Sequence, residues 1–296
     1  SVISLLFLFT VFTVQAQQLS KPQFSYPAGF YPDTIYVAIS SSDNNVDIHY
    51  TLNGDVPTLA SPVYSNPLMV INRIGQINSF SSIPTNPAFN YPINGYDSIK
   101  ANSRGWLLPL SEVYKATVVK AKSFSNNSYS NTAVGTYFID PLLSSRFSMP
   151  VLSISTDSVN FFSNETGIYV YGNDTIDGGN YNLDFEKEVH IEFFETDGTL
   201  QLSQNCGVLN HGGGGKIAPQ KSFKVIARDT YGDNRFNYRI FTDKATDVFK
   251  SFLLRNGGHR PDCFPRDNLA GKIVQNMNFE VQFTRNVIVF INGEYW

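Results

Sequence analysis

Short stretches in which apolar and polar residues alternate recur along the first half of the chain. They are found at residues 35–39, 47–52, 115–124 and 132–139. Period-two alternation is typical of half-buried strands, and Asn53-Gly54-Asp55 favours a tight turn. We therefore predict a mainly β domain, a β-sandwich over residues 21–140. A long inserted loop, rich in Asn, Pro, Ser and Gly, is predicted from 72 to 110.

The second half of the chain mixes strand and helix patterns. Strands are predicted at residues 150–154, 188–195, 222–228, 251–255 and 286–291. One helix is predicted over 267–277, because its apolar residues fall on a single face. Those residues are Leu269, Ala270, Ile273, Val274 and Met277. The pattern predicts an α+β domain over residues 148–296.

The last residues predict a hairpin. Asn292-Gly293 follows a predicted strand and is the strongest two-residue hairpin signal. Only Glu294, Tyr295 and Trp296 remain for the returning strand, which would leave an aromatic pair at a frayed edge. We therefore expect the chain to be truncated within its second domain.

The N-terminal residues predict export. An apolar run at 2–14 is followed by Gln15-Ala16-Gln17, as in a secretory signal peptide cleaved after Ala16. Residues 1–16 are thus a predicted signal peptide, incomplete at its N-terminus, and no transmembrane segment is expected after cleavage. We expect a secreted protein, extracellular or at the cell surface. In that setting Cys206 and Cys263 could pair or remain free thiols.

Composition narrows the possible functions. The 296 residues are 42% hydrophobic and 16% charged, which predicts packed cores. The net charge of −3, with acids and bases interspersed, gives no footprint for nucleic acid. The four histidines show no metal-ligand spacing.

The run His211-Gly-Gly-Gly-Gly-Lys216 is the most conspicuous loop. An esterase oxyanion hole is rejected, because the chain contains no Gly-x-Ser-x-Gly. A phosphate cradle and a flexible connection both stay open. Lys221 begins the next predicted strand on its apolar face; it either lies in a cleft or extends outward to solvent. Arg255 follows another strand, and an ion pair with Asp267 is one role for it.

Two families resemble parts of the chain. Ile48-His-Tyr-Thr-Leu-Asn-Gly-Asp-Val-Pro-Thr58, with the strands at 118–122 and 136–139, resembles the chitobiase/β-hexosaminidase C-terminal-type module. That resemblance implies an immunoglobulin-like accessory domain and no hydrolase activity. Residues 148–296 resemble the spore-coat protein H (CotH) family of atypical secreted kinases. The matching segments are 167–170, 189–193, 211–213, 220–223, 227–232, 252–256, 266–267 and 289–296.

The CotH resemblance implies transfer of phosphate from ATP to secreted or surface proteins, with Mg or another divalent metal. Lys221 matches the lysine that meets the phosphates, and Gly212, Gly213 and Arg255 are the other predicted cofactor-binding residues. The family's catalytic aspartates are expected beyond Trp296, so this chain is expected to be inactive and to contain no catalytic or metal-binding residue. Gly214, Gly215 and Lys216 depart from the family's usual loop.

Two other functions are kept. The first is a non-enzymatic surface or adhesion protein that uses the CotH-like fold for binding. The second is a glycan-binding protein that acts through the β-sandwich module. A kinase would lose phosphate transfer when Lys221 is replaced, whereas an adhesin would keep its partner.

Overall fold

A computed structural model describes most of the chain. The described residues are 18–85, 109–126, 128–174, 178–213, 215–216, 220–256, 266–278 and 280–296, with only the backbone given for 266–267. The predicted signal peptide and the middle of the predicted inserted loop lie outside these ranges. No helix among the described residues is long and apolar enough to cross a membrane.

The first domain is a β-sandwich, as the alternation predicted. Its main sheet has the order β2-β9-β7-β5, with β8 paired to β7, and the pairs β1-β4 and β3-β6 cover one face. Val37, Val119 and Tyr137 are fully buried between these layers. The strands are β1 Gln23–Phe24, β2 Gly29–Tyr31, β3 Ile35–Val37, β4 Ile39–Ser40, β5 Asp47–Thr51, β6 Leu68–Val70, β7 Thr117–Ser125, β8 Ser128–Tyr129 and β9 Ala133–Ile139.

The second domain is built on a seven-stranded sheet of order β16-β13-β12-β11-β10-β17-β18. Its strands pair antiparallel except for β10 with β17. The strands of this sheet are β10 Val151–Ser155, β11 Lys187–Phe194, β12 Leu200–Asn210, β13 Phe223–Ile226, β16 Ser251–Leu254, β17 Ile288–Ile291 and β18 Glu294–Tyr295. A separate antiparallel pair is formed by β14 Phe236–Asn237 and β15 Val248–Phe249. The helices are α1 Ser158–Phe162 and α2 Arg266–Val274, with 3-10 turns at Leu143–Arg146 and Asn180–Asn182.

The helix predicted from apolar periodicity is present as α2, but its apolar side chains are exposed. Leu269, Ile273 and Met277 are 59%, 66% and 54% exposed. The main core instead lies under α1 and neighbouring loops, where Phe161 and Tyr169 cover one face of the sheet. Amphipathic spacing therefore identified the helix but not what covers it.

The two domains pack sheet against sheet. Because side chains alternate along strands, one face of β7 and β9 fills the sandwich core and the other faces the second domain. At one end of the interface Phe138 stacks on Phe30 with ring centres 4.5 Å apart. Phe138 also meets Phe194 and Phe290 edge to face at 5.6 and 5.1 Å. This aromatic cluster fixes how the domains sit together.

Buried polar residues follow the aromatic cluster along the interface. The hydroxyl of Thr136 donates to the Glu192 carboxylate at 2.5 Å and lies 2.9 Å from Ser153 Oγ. Glu192 is 1% exposed. Burial raises the pKa of its carboxyl to about 7, because water no longer solvates the charged form.

We expect Glu192→Gln to make the chain more stable than wild type at pH 8 and equally stable near pH 4. The folded chain binds the Glu192 proton more tightly than the unfolded chain, whose carboxyl has the ordinary value of 4.5. Wild-type stability is therefore lost as the pH rises from 4.5 to about 7, by on the order of 3 kcal/mol. Thermal melts against pH measure the difference; parallel curves for both proteins would contradict it. The exposed Glu165→Gln is the control.

The predicted hairpin at the end of the chain is present. Asn292 and Gly293 have φ values of 48° and 81°, as a two-residue turn of the primed type requires. The prediction that the last residues lie at a frayed edge is wrong, because Glu294 pairs with Lys115 of the first domain in an antiparallel bridge. The Gly293 carbonyl also accepts a hydrogen bond from the Ala116 N–H at 2.7 Å.

Glu294 joins the hairpin to the predicted inserted loop. Its carboxylate accepts backbone hydrogen bonds from Ser79, Phe80 and Ser81 at 2.6, 2.9 and 2.8 Å, and the side chain is 1% exposed. Three N–H donors satisfy much of a buried carboxylate's hydrogen-bonding capacity. This part of the loop therefore holds the two domains together.

Candidate functional site

Three neighbouring strands bring the predicted cofactor-binding residues to one end of the sheet. Asn210 at the end of β12 pairs with Phe223 at the start of β13, which pairs with Leu254 at the end of β16. The glycine run follows Asn210 directly, and Arg255 follows Leu254. Strand register thus places Gly212, Gly213, Lys221 and Arg255 in one region.

Lys221 is buried at this end of the sheet. Its side chain is 5% exposed, so the alternative in which it extends outward is wrong. The amine donates to the Lys216 carbonyl at 3.0 Å and lies 3.9 Å from the centre of the Tyr181 ring. Burial lowers the pKa of the Lys221 amine well below its usual range, because the charged form loses its hydration.

The glycine run turns back over Lys221. The His211 N–H donates to the Ser222 carbonyl at 2.8 Å. Gly212 has a φ of +81°, a backbone conformation in which a residue with a side chain would be strained. Gly213 has no such positive φ. Among the described residues, a Cβ at either glycine would meet no atom within 4 Å, so on that side both glycines face open space. Gly214 lies outside the described residues.

Asn256 braces the start of β13. Its backbone N–H donates to Ser222 Oγ at 3.2 Å, and its side-chain amide donates to the Gln220 carbonyl. These bonds fix the residues on both sides of Lys221. The neighbouring Arg255 side chain is exposed at the same end of the sheet. The suggested ion pair of Arg255 with Asp267 involves a side chain outside those described.

The end of the chain also positions Lys221. The Trp296 indole N–H donates to the Tyr169 hydroxyl, which accepts a second hydrogen bond from the Lys221 backbone N–H at 2.9 Å. Trp296 meets the Tyr169 ring edge to face at 4.9 Å. The hairpin residues therefore support Lys221 through a single tyrosine.

These groups fit phosphate better than they fit a metal. Open glycine backbone and a buried amine are the usual partners of phosphate oxygens. An approaching anion would favour the charged form of Lys221 and offset its desolvation. In the described part of the chain, no three His, Cys, Asp or Glu side chains lie close enough to hold a metal ion.

The comparisons bear on both domains. A model for the chitobiase/beta-hexosaminidase C-terminal domain matches residues 26–81, within the sandwich. A model for the CotH kinase protein family matches residues 208–296. This part of the second domain is therefore similar to the CotH family. No curated protein matches the chain. The CotH match contains the glycine run, Lys221, Arg255 and the terminal hairpin, so the candidate site lies inside it.

The sequence analysis assigned no site role to Asn256 or Tyr169, although both lie in segments that carry the CotH resemblance, and it missed the long strand β12. The strand had a signal, since Leu200, Leu202, Cys206 and Val208 keep a period of two. Asn256 and Tyr169 act through contacts that no local pattern indicates. Cys206 is a buried free thiol on β12, and burial raises its pKa; Cys263 lies outside the described residues.

Proposed function

We propose that the chain comes from a secreted CotH-type kinase, and that the end of the β12-β13-β16 sheet binds the phosphates of ATP. The buried Lys221 amine beneath open glycine backbone carries this proposal. Phosphoryl transfer depends mostly on positioning and on neutralising charge. In the proposal Lys221 supplies positive charge and Gly212 and Gly213 supply backbone N–H groups. Arg255, at the rim, contacts the nucleotide, and a divalent metal is expected from the family.

Nucleotide binding tests the proposal in the chain itself. The probe is ATP with Mn²⁺ or Mg²⁺, titrated in a calorimeter, with the non-hydrolysable β,γ-imido analogue as a second probe. Transfer of labelled phosphate to a generic acceptor such as casein is measured on the product of the complete gene. Saturable nucleotide binding with transfer supports the kinase. Binding without transfer to any acceptor leaves only a nucleotide-binding protein, and absence of binding overturns the proposal.

We expect Gly213→Val to weaken ATP binding at least tenfold without changing the melting temperature. A Cβ at position 213 meets no atom of the described residues within 4 Å and requires no unusual φ, so the fold should tolerate it. It would occupy the space through which a phosphate reaches the backbone. Calorimetric titration and a thermal melt measure the two effects.

Gly232→Val is the matched control for this prediction. It stands in an exposed loop where the nearest atoms to a Cβ are 3.8 Å away. Its ATP affinity should equal that of wild type. Unchanged affinity in Gly213→Val would show that phosphate does not approach this part of the run.

A further inference from the structure

A cleft of about 530 Å³ opens where the two domains face each other. It lies beyond Thr136 and Glu192, at the end of the interface opposite the aromatic cluster. Lys120 and Val134 line it from the first domain, and Ser155 and His190 line it from the second. The volume falls within the range of small-ligand pockets, about 300–1,000 Å³. Lys221 lies on the other face of the seven-stranded sheet.

The lining of this interdomain cleft is mostly polar. The rest of the interface consists of the aromatic cluster and of buried polar side chains that hydrogen-bond to each other. The facing side chains change along each strand. On β9 they run from Phe138 through Thr136 to Val134, with Thr132 just before the strand. On β11 they run from Phe194 through Glu192 to His190. An interface that served only adhesion between the domains would gain most from continued apolar packing.

Lys120 extends into the cleft without a partner. The side chain is 3% exposed, yet no described residue accepts a hydrogen bond from its amine or forms an ion pair with it. Burial lowers the pKa of Lys120 to about 8, against the opposing effect of several more distant carboxylates. The buried Ser155 hydroxyl, also in the lining, has no partner among the described residues. Buried polar groups normally have partners, so these two indicate a missing one.

Other lining groups are held in place before any ligand arrives. His190 lies 2.7 Å from Asn205 Oδ1 through Nδ1 and 3.1 Å from Ser203 Oγ through Nε2. The Asn205 amide donates to Glu188 at 3.1 Å. Burial lowers the pKa of His190 to about 4, so the ring is neutral at pH 7. Fixed, neutral hydrogen-bonding groups of this kind give specificity without net charge.

The lining of the cleft contains equal numbers of positively and negatively charged side chains. It contains three lysines and three carboxylates: Lys21, Lys120, Lys122, Asp157, Glu188 and Asp233. A cation would be repelled by Lys120 and an anion by the carboxylates around it. A hydroxyl group both donates and accepts, so a polyol can bond to the amine and to a carboxylate at once. Tyr129 and Tyr231 at the rim add ring surface.

We propose that the interdomain cleft binds a neutral carbohydrate of monosaccharide or disaccharide size. Residues of both domains form the site. The β-sandwich then contributes one wall of the site and is not a binding module by itself. The bound sugar would bridge Lys120 on one sheet and Glu188 on the other.

Saturation-transfer NMR on the purified chain tests this proposal. The neutral probes are glucose, galactose, mannose, N-acetylglucosamine, maltose and cellobiose; glucosamine and glucuronate are their charged counterparts. We expect at least one neutral sugar to bind. Glucosamine and glucuronate should bind at least tenfold more weakly than that sugar. Lys120→Met and Glu188→Gln should each weaken binding at least tenfold. Lys187→Met, on the same strand as Glu188 but outside the lining, should not change it.

Thermal melts show that each variant is folded, and the exposed Glu188 provides a test that does not disturb packing. The proposal is overturned if no neutral sugar binds at millimolar concentration. It is equally overturned if a charged probe binds better, or if both Lys120→Met and Glu188→Gln keep full affinity. Sugar binding that persists in Lys221→Met supports a site separate from the proposed nucleotide site; its loss there would contradict that separation.

Discussion

Lys221→Met is expected to weaken nucleotide binding strongly and at the same time to stabilise the chain. The amine is buried with a lowered pKa, so folding desolvates a charge that the unfolded chain leaves in water. Methionine keeps an unbranched side chain of similar length and removes that cost. Losing a buried charge partner should weaken ATP binding on the order of 100-fold, or about 3 kcal/mol. The melting temperature should rise by at least ~2 °C.

The stability difference between Lys221→Met and wild type should also change with pH, which a change in packing alone would not produce. Because the folded pKa of Lys221 lies below the usual 10.5, the unfolded chain binds the proton more tightly. Wild-type stability therefore rises with pH from the lowered pKa toward 10.5. The advantage of Lys221→Met should be greatest at low pH and shrink as the pH approaches 10.5. Melts and titrations across pH 6–10 measure it.

Lys224→Met is the matched control, since Lys224 lies on β13, three residues after Lys221, with its side chain on the face opposite the buried Phe223 and Val225. It should keep both ATP affinity and wild-type pH dependence. A lower melting temperature for Lys221→Met at pH 7 would mean that the Lys221 amine stabilises the fold. In that case its burial would not indicate a site held ready for an anion.

Glu294→Ala is expected to cause the largest loss of stability. The substitution would remove the buried acceptor of three backbone N–H groups; Ser81 is buried, whereas Phe80 is half-buried and Ser79 is exposed. Each buried donor left without a partner costs about 1–3 kcal/mol. We expect the free energy of unfolding to fall by on the order of 4 kcal/mol. Urea denaturation followed by tryptophan fluorescence measures this, because Trp296 is two residues away.

Two further variants separate the causes. Glu294→Gln keeps one carbonyl acceptor and should lose less stability than Glu294→Ala. The exposed Glu112→Ala removes a neighbouring carboxylate and should change stability by less than ~0.5 kcal/mol. If Glu294→Ala unfolds at the wild-type urea concentration, the hairpin does not depend on residues 79–81. The aromatic cluster would then hold the domains together unaided.

Local patterns in the sequence determined most of the longer strands of both domains, with the exception of β12, and also the helix and the final turn. Each of these elements depends on interactions between residues that are close together in the sequence. Alternation gives a strand one apolar face, and positive φ at Asn292-Gly293 matches the twist of a hairpin. The motifs around His211, Lys221 and Trp296 also sufficed for the CotH resemblance that the family model confirms. That resemblance named the predicted nucleotide residues, and the pairing of β12, β13 and β16 in the structure brings them to one end of the sheet.

Only the tertiary structure determined which surfaces pack against the faces of these strands and this helix. Lys120 and Lys122 alternate on β7 like ordinary solvent-facing residues, yet they line an interdomain cleft, because the second domain covers that face of the sheet. The apolar residues of α2 satisfy the helical pattern and are nevertheless exposed. Glu294 reaches backbone more than 200 positions away in sequence. Period and turn signals act over a few residues, whereas burial and partnership depend on which distant surfaces pack together.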